Sequence, residues 1–298
     1  MISHLNPSRF YTNRSYLTQW IDQDVLVVTD NDFENTDEAV RLINQSTDKK
    51  IIVDITHNPW HDSRLPVDID PTLTGNFDYF YTLQPGRVFF PVFVWMFSLR
   101  SNLWFSSYDF DAHNKKTKGA MCLNNHTRDH RTQLYNLLEP VRDRMVYTVN
   151  NQGLPGEPPN QHRVDVSVSH PVYSECCVNI VTETVVHLPW LSEKTCKPFV
   201  ARQIPIIVGA AGVNRFLEDV GLDMFSDIVP WKSWDSESDN TLRVEKIAEF
   251  VKQWIQQDSM LSTYRRVLDR VEKNKKHFHS EKFRNIIMNQ MDSYFKPA

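Results

Sequence analysis

Near-continuous apolar runs alternate with stretches of helical spacing along this chain, and the alternation occurs in two blocks. In the first block, Asp24–Thr29 (DVLVVT) and Ile51–Ile55 (IIVDI) have the unbroken apolar character of strands buried on both faces of a parallel sheet. Between them, Thr36–Gln45 (TDEAVRLINQ) reads as a helix, with Thr36 as N-cap and Ala39, Val40, Leu42 and Ile43 on its apolar face. The three pieces make one β-α-β unit. Phe77–Leu83 and Val88–Phe97 supply further strands. The polar stretch Asp109–Lys118 (DFDAHNKKTK) interrupts the pattern and predicts a domain boundary, with one domain over 1–115 and a second over 116–298.

The second block restarts with a strand over Ala120–Asn124, a polar loop over His126–Asp129 and a helix over His130–Leu138. Three prolines and two glycines make Asn150–Asn160 a loop. Cys177–Thr182 is a strand. Ser192–Arg202 is helical, with Ser192 as N-cap and Pro198 expected to kink or restart it, because proline lacks an N–H and clashes with the preceding turn. Ile204–Val208 is another buried strand, ending in Gly209-Ala210-Ala211-Gly212. Val213–Val220 is a helix stopped by Gly221 at the C′ position. Val244, Ile247, Ala248, Val251, Trp254 and Ile255 keep helical spacing, and further helices are expected over Ser262–Lys275 and Ser280–Tyr294. The whole predicts an α/β protein of two layers with mostly parallel sheets and C-terminal helices. Ligands of such sheets bind outside the carboxyl ends of the strands, and two facing domains make a cleft there.

A length of 298 residues accommodates two domains of ordinary size. The net charge of -4 gives no reason to expect nucleic acid or an anionic membrane as partner. The longest apolar stretch, Phe89–Phe97, is too short to span a bilayer and contains Pro91. The opening MISHLNPSRF has neither the charged start nor the apolar core of an export signal. Four cysteines, at 122, 176, 177 and 196, form no CxxC pair and no disulfide framework, which suits a reducing compartment. These features predict a cytoplasmic protein, in which the sequons at Asn13, Asn44 and Asn125 are chance matches.

Chemistry concentrates in Val178–Gly212. Glu183 ends a buried strand, Glu193 and Lys194 open a helix, and the Gly-Ala-Ala-Gly turn ends the next strand. All fall on one edge of the predicted sheet. A carboxylate such as Glu193 accepts hydrogen bonds from ribose hydroxyls. Lys194 and the helix N-terminus attract a pyrophosphate, and small residues let backbone approach it closely. A Glu–Lys pair in a first turn also arises simply because glutamate complements the helix dipole.

This segment resembles the donor-binding motif of the family 10 glycosyltransferases, the fucosyltransferases, and of their uncharacterised viral and bacterial relatives. The residues that carry the resemblance are Ile180-Val181-Thr182-Glu183, Ser192-Glu193-Lys194-Thr195 and Ile204-Pro205-Ile206-Ile207. Upstream, Leu123-Asn124-Asn125 followed by His130-Arg131 resembles the family's Asn…Arg element, and downstream Phe216–Phe225 resembles the stretch after the glycine turn. The likeness spans 118–230. It departs from the family at Thr184-Val185, where Asn-Ser is usual, and at Gln203, where a small residue is usual. The resemblance implies two Rossmann-like domains facing a cleft, the B-type glycosyltransferase fold, with the donor in the C-terminal one. It implies inverting transfer of a sugar from GDP-fucose or a similar nucleotide sugar to an acceptor hydroxyl, such as that of a glycan, with no essential metal and no cofactor. The donor-binding candidates are Asn124, Arg128, Arg131, Glu183, Glu193, Lys194, Thr195 and Lys197, with Arg131 and Lys194 steadying the departing diphosphate.

The general base is expected from the first domain, where a buried strand runs into the polar turn Val53–Pro59. Asp54 and His57 are the catalytic candidates, and Asp62 the third. Asp-x-Asp triplets at Asp30–Asp32, Asp68–Asp70 and Asp109–Asp111 lie away from the donor motif and assign no metal. Two alternatives remain. One is a viral-type enzyme glycosylating DNA bases, which calls for a basic stripe along the cleft. The other is a non-catalytic binding protein of the same fold.

Overall fold

The structure is a computed structural model that describes residues 3–4, 25–29, 50–54, 116–124, 126–149, 168, 170–183, 186–187, 191, 193–283 and 285–286. Two parallel sheets lie within these residues. The first comprises β1 (Ser3–His4), β2 (Val25–Thr29) and β3 (Lys50–Asp54), in that spatial order. Leu26, Val27 and Val28 of β2 register against Ile51, Ile52 and Val53, so the two apolar runs pair in parallel as expected. β1 has no apolar run and was not anticipated; Ser3 and His4 join the sheet through their pairing with Leu26 and Val27. The helix expected over Thr36–Gln45, the strands over Phe77–Leu83 and Val88–Phe97, the boundary at 115 and the cleft between domains lie outside the described residues.

The second sheet contains β4 (Lys118–Leu123), β5 (Val146–Thr148), β6 (Cys176–Thr182) and β7 (Ile204–Val208), all parallel. Every residue of β6 and β7 is buried, so both faces of these strands are covered, as their unbroken apolar runs require. The spatial order is β5-β4-β6-β7. From β4 the chain first moves outward to β5, then returns past β4 to lay down β6 and β7. The reversal puts a topological switch point between β4 and β6, and the crevice outside their carboxyl ends is where such sheets hold ligands.

Eight α-helices are described with this sheet. Helix α1 (Asp129–Leu137) follows β4 and begins one residue before the expected start, with Arg128 in extended conformation at the N-cap. Helix α2 (Pro171–Glu175) precedes β6. Its sequence signal is proline at N1 behind the His170 cap. Helix α3 (Glu193–Val200) joins β6 to β7. Pro198 does not divide it. In so short a helix proline forfeits a single ladder bond, and the buried face of Thr195, Cys196, Phe199 and Val200 holds the segment to the sheet.

Helix α4 (Val213–Asp219) ends at Val220, followed by Gly221 at φ 91. A Cβ at Gly221 would lie 2.7 Å from Nε2 of His277, the ring that hydrogen-bonds the Val220 carbonyl at 3.0 Å. Gly221→Ala is therefore expected to cost roughly 1–3 kcal/mol, about 1 from the left-handed backbone and the rest from displacing His277. Urea denaturation measures it, and a loss near zero would mean that the ring swings aside.

The short α5 (Lys232–Asp235) leads to α6 (Asn240–Gln256), whose Asp239 carboxylate caps the backbone N–H groups of Thr241 and Leu242. The single helix expected over Ser262–Lys275 is two: α7 (Met260–Arg266) and α8 (Leu268–Phe278). Val267, at φ -110 and ψ 15, leaves helical geometry between them. No breaker residue marks the spot. Tyr264 is tied by its hydroxyl to the Arg202 carbonyl, and the turn lets α8 pack on α3, where Phe278 stacks on Phe199. No helix among the described residues is long and apolar enough to cross a membrane.

Candidate functional site

Three sequence segments converge at the carboxyl edge of the second sheet. β4 delivers Asn124 and the start of α1, β6 delivers Glu183, and β7 delivers the glycine turn. Helix α3 starts on the same edge, because it leaves β6 there and must run back to begin β7. The backbone of Glu193 and Lys194 forms its first turn. Lys194 is half-buried.

Beneath this edge lies a polar network in the protein interior, where polar groups persist only if hydrogen-bonded. Asn124 knits three strand ends. Its N–H donates to the Thr148 carbonyl at 3.2 Å, its amide donates to Tyr147 Oη at 3.3 Å, and its Oδ1 accepts from the Thr182 hydroxyl. Glu183 has 0% of its surface exposed. Its N–H donates to the Val208 carbonyl at 2.9 Å, and its carboxylate accepts from the Thr195 hydroxyl of α3. The end of β6 is thereby bound to β7 on one side and to α3 on the other.

Arg131 is 3% exposed and turns inward. Its guanidinium donates to the carbonyls of Thr182 (3.1 Å), Glu183 (3.3 Å) and His126 (3.1 Å). It caps the end of β6, where the ladder runs out of N–H donors. His130 adds a 2.8 Å bond to the Glu183 carbonyl, which places its proton on Nε2. Burial, opposed by that bond, lowers the His130 pKa to about 4, so the ring is neutral at pH 7. Burial likewise pushes the Cys122 thiol up to about 11 and raises the Tyr147 phenol. Neither group supplies an anion to this edge.

The structure thus brings Asn124, Arg131, Glu183 and Thr195 together beneath the edge, and Lys194 with the Glu193 backbone upon it. Arg128, half-buried, stands at the N-cap of α1, with its Nε buried and bonded to nothing. Lys197 is set apart. It lies in the last turn of α3, 5.7 Å over the ring of Tyr173, a residue that precedes β6 and so belongs to the opposite edge. Asp54 ends β3, in register with Thr29, at the carboxyl edge of the first sheet. His57 and Asp62 lie outside the described residues.

Two residues that sequence reasoning passed over shape the glycine turn. The Asp235 carboxylate accepts from the N–H groups of Asn214 and Arg215, both at 3.0 Å, and from the Asn214 amide at 2.9 Å. It fills the N-terminus of α4 with an internal anion, while its own carbonyl accepts from Gly212 N–H at 2.8 Å. Burial raises its pKa, with the three N–H donors pulling the other way. Arg243 of α6 donates through Nε to the Gly209 carbonyl at 2.9 Å. A signal for Arg243 existed: helical spacing puts it on the same face as Ile247 and Trp254, and a charge on a buried face needs partners. Among the described residues, no group of three or more His, Cys, Asp and Glu is placed to hold a metal ion.

No family model and no curated protein matches this chain. Among solved structures, a chain described as the crystal structure of an alpha1,3-fucosyltransferase aligns over 86% of this chain and 78% of its own, with a TM-score of 0.37 and 10% identity. A likeness of that size does not establish a common fold. The α/β architecture is read from the parallel sheet itself.

Proposed function

We propose that the carboxyl edge of the second sheet binds a nucleotide sugar and that the protein is a glycosyltransferase. One observation carries this reading. The segments that resemble the fucosyltransferase donor motif are far apart in sequence, and they meet at the switch point of a parallel sheet, where ligands of open α/β folds bind. The diphosphate lies against Lys194 and the N-terminus of α3, and the ribose hydroxyls donate to Glu193. Arg131 acts from below by holding the end of β6 and adding positive charge. GDP-fucose or a similar GDP-sugar is the donor, and a glycan hydroxyl the acceptor. Transfer is inverting. Asp54 or His57 takes the acceptor proton as its oxygen attacks the anomeric carbon, and the cationic edge stabilises the departing diphosphate without an essential metal.

The nucleic-acid alternative calls for a basic stripe along the site. The exposed Arg265, Arg266, Lys273 and Lys276 lie instead on α7 and α8, and the exposed Arg215 and Lys232 beyond the glycine turn are paired with Asp219 and Glu218. Helix α7 begins against Gly119, at the amino end of β4, so this reading gains no support.

A thermal-shift titration with GDP, UDP and CDP tests the proposal, since a ligand that binds only the native state raises Tm by mass action. One nucleotide class is expected to raise Tm at millimolar concentration. Glu193→Ala and Lys194→Ala are expected to remove that rise while keeping the ligand-free Tm near its original value. Equal shifts in both variants would move the site elsewhere, and no shift with any nucleotide would favour the non-catalytic reading.

A further inference from the structure

Arg243 is 2% exposed, and no other described arginine has so little exposed surface. Among the described residues, no carboxylate is ion-paired to it. Its guanidinium is spent on neutral oxygens drawn from four places. Nε donates to Gly209 O at 2.9 Å and Nη2 to Val186 O at 2.6 Å. The remaining bonds reach the Glu237 carbonyl and the side-chain oxygen of Asn240. Gly209 is the first residue after β7, and Val186 lies four residues past the end of β6, on the way to α3. Asn240 opens α6, and Glu237 precedes it.

One side chain therefore spans both loops that border the start of α3 and fastens them to α6. Burying a guanidinium is costly; the nearby carboxylates of Asp235, Glu237 and Asp239 offset part of that cost through space, and the four neutral acceptors offset more. Glutamine or lysine could satisfy one or two of these carbonyls at lower cost. A planar fork with five donors is needed to reach four acceptors at once.

We propose that Arg243 is a positioning residue of the nucleotide site. It fixes the loops after β6 and β7 in the spacing that a diphosphate spanning the start of α3 requires. This inference rests on the reading of the carboxyl edge as a nucleotide site. It adds that the affinity is set from beneath by a residue that does not touch the ligand.

The test uses Arg243→Lys in the full chain, with two readouts. The wild type is first titrated with GDP, UDP and CDP. Hydrogen exchange of the ligand-free proteins is then compared at 183–187 and 209–212. The variant is expected to exchange faster in those two segments, and to bind the chosen nucleoside diphosphate roughly tenfold more weakly at a temperature where it is fully folded. Unchanged exchange overturns the inference whatever the nucleotide does. Faster exchange with unchanged affinity also overturns it, leaving a residue that serves the fold alone. A wild type that binds none of the three nucleotides overturns the inference together with the reading beneath it, and the first titration tells that failure apart from the other two. Should the lysine variant not fold, Asn240→Ala releases one edge of the guanidinium and is read by the same pair of measurements.

Discussion

Raising the pH from 7 to 9 is expected to raise the melting temperature, and Lys116→Met is expected to remove that rise. Lys116 is 6% exposed and donates to the carbonyls of Tyr173 at 2.6 Å and Ala201 at 3.0 Å. Its pKa is lowered from 10.5 to about 7, mainly by desolvation, with the Cys176 and Cys177 thiols beside it pulling the other way and Arg202 adding to the fall. Between pH 7 and 10.5 the unfolded chain then holds a proton that the native protein has released. Stability rises with pH across that window, by about 1.4 kcal/mol per unit at most. From pH 7 to 9 Lys116 contributes roughly 2 kcal/mol, of which the buried thiols offset about 1, leaving a net rise of about 3 °C in Tm for a unit of this size.

The buried thiols oppose this trend from about pH 8 and reverse it near pH 9. Cys122 is held up at about 11, and Cys176 and Cys177 at about 12, so the native protein keeps protons that the unfolded chain loses. His130, lowered to about 4, costs stability as the pH falls from 6.5 toward 4, while Asp235, whose pKa is raised, offsets part of that loss in acid. A maximum near pH 9 follows. A flat profile from 7 to 9 would mean that the two carbonyls, with Ala201 just beyond the negative end of α3, keep the ammonium charged.

Arg131→Leu is expected to be the most damaging single substitution at the carboxyl edge, costing about 3–5 kcal/mol in urea denaturation. It strips these donors from the Thr182 and His126 carbonyls and removes one donor to the Glu183 carbonyl, which keeps the bond from His130. The buried Thr182 carbonyl left without a donor costs roughly 1–3 kcal/mol. The part-buried His126 carbonyl costs less because it lies near water, and the lost packing and altered contacts of the buried guanidinium supply the rest. Arg131→Lys keeps the charge but reaches fewer carbonyls, and it should fall between wild type and leucine. Arg128→Ala is the control, since its half-buried side chain has no bond to lose at Nε. A loss below 1 kcal/mol for the leucine variant would show that water reaches these carbonyls, and it would remove Arg131 as the support of β6.

Local signals were legible where a single stretch of chain contains its own cause. The apolar runs of β2, β3, β6 and β7 emerged within one residue of their predicted ends, and in β6 and β7 burial of every residue dictates that composition directly. Gly221 was readable as a helix stop for the same reason: a left-handed backbone selects glycine whatever surrounds it. That Glu183 and the start of α3 share one edge also followed from the order of strands and helices alone.

Other features depend on contacts between distant segments, and no stretch of chain carries them. The two-residue β1 exists only through β2. Helix α3 survives Pro198 because residues 195–200 are all buried, and the break at Val267 answers to Tyr264 reaching Arg202 and to α8 reaching α3. The candidate site divides in the same way. The resemblance to the fucosyltransferase donor motif named Asn124, Arg131, Glu183 and Lys194 as a group. Only strand pairing put β4 beside β6 and so made a switch point of their carboxyl ends. Only packing turned Arg131 inward, set Lys197 toward the opposite edge and brought Arg243 across 34 residues to Gly209. Helical and strand periodicity records which face a residue is on. The hydrogen-bond partners of a buried charge are set by which elements meet that face, and that is decided when the sheet and its helices assemble.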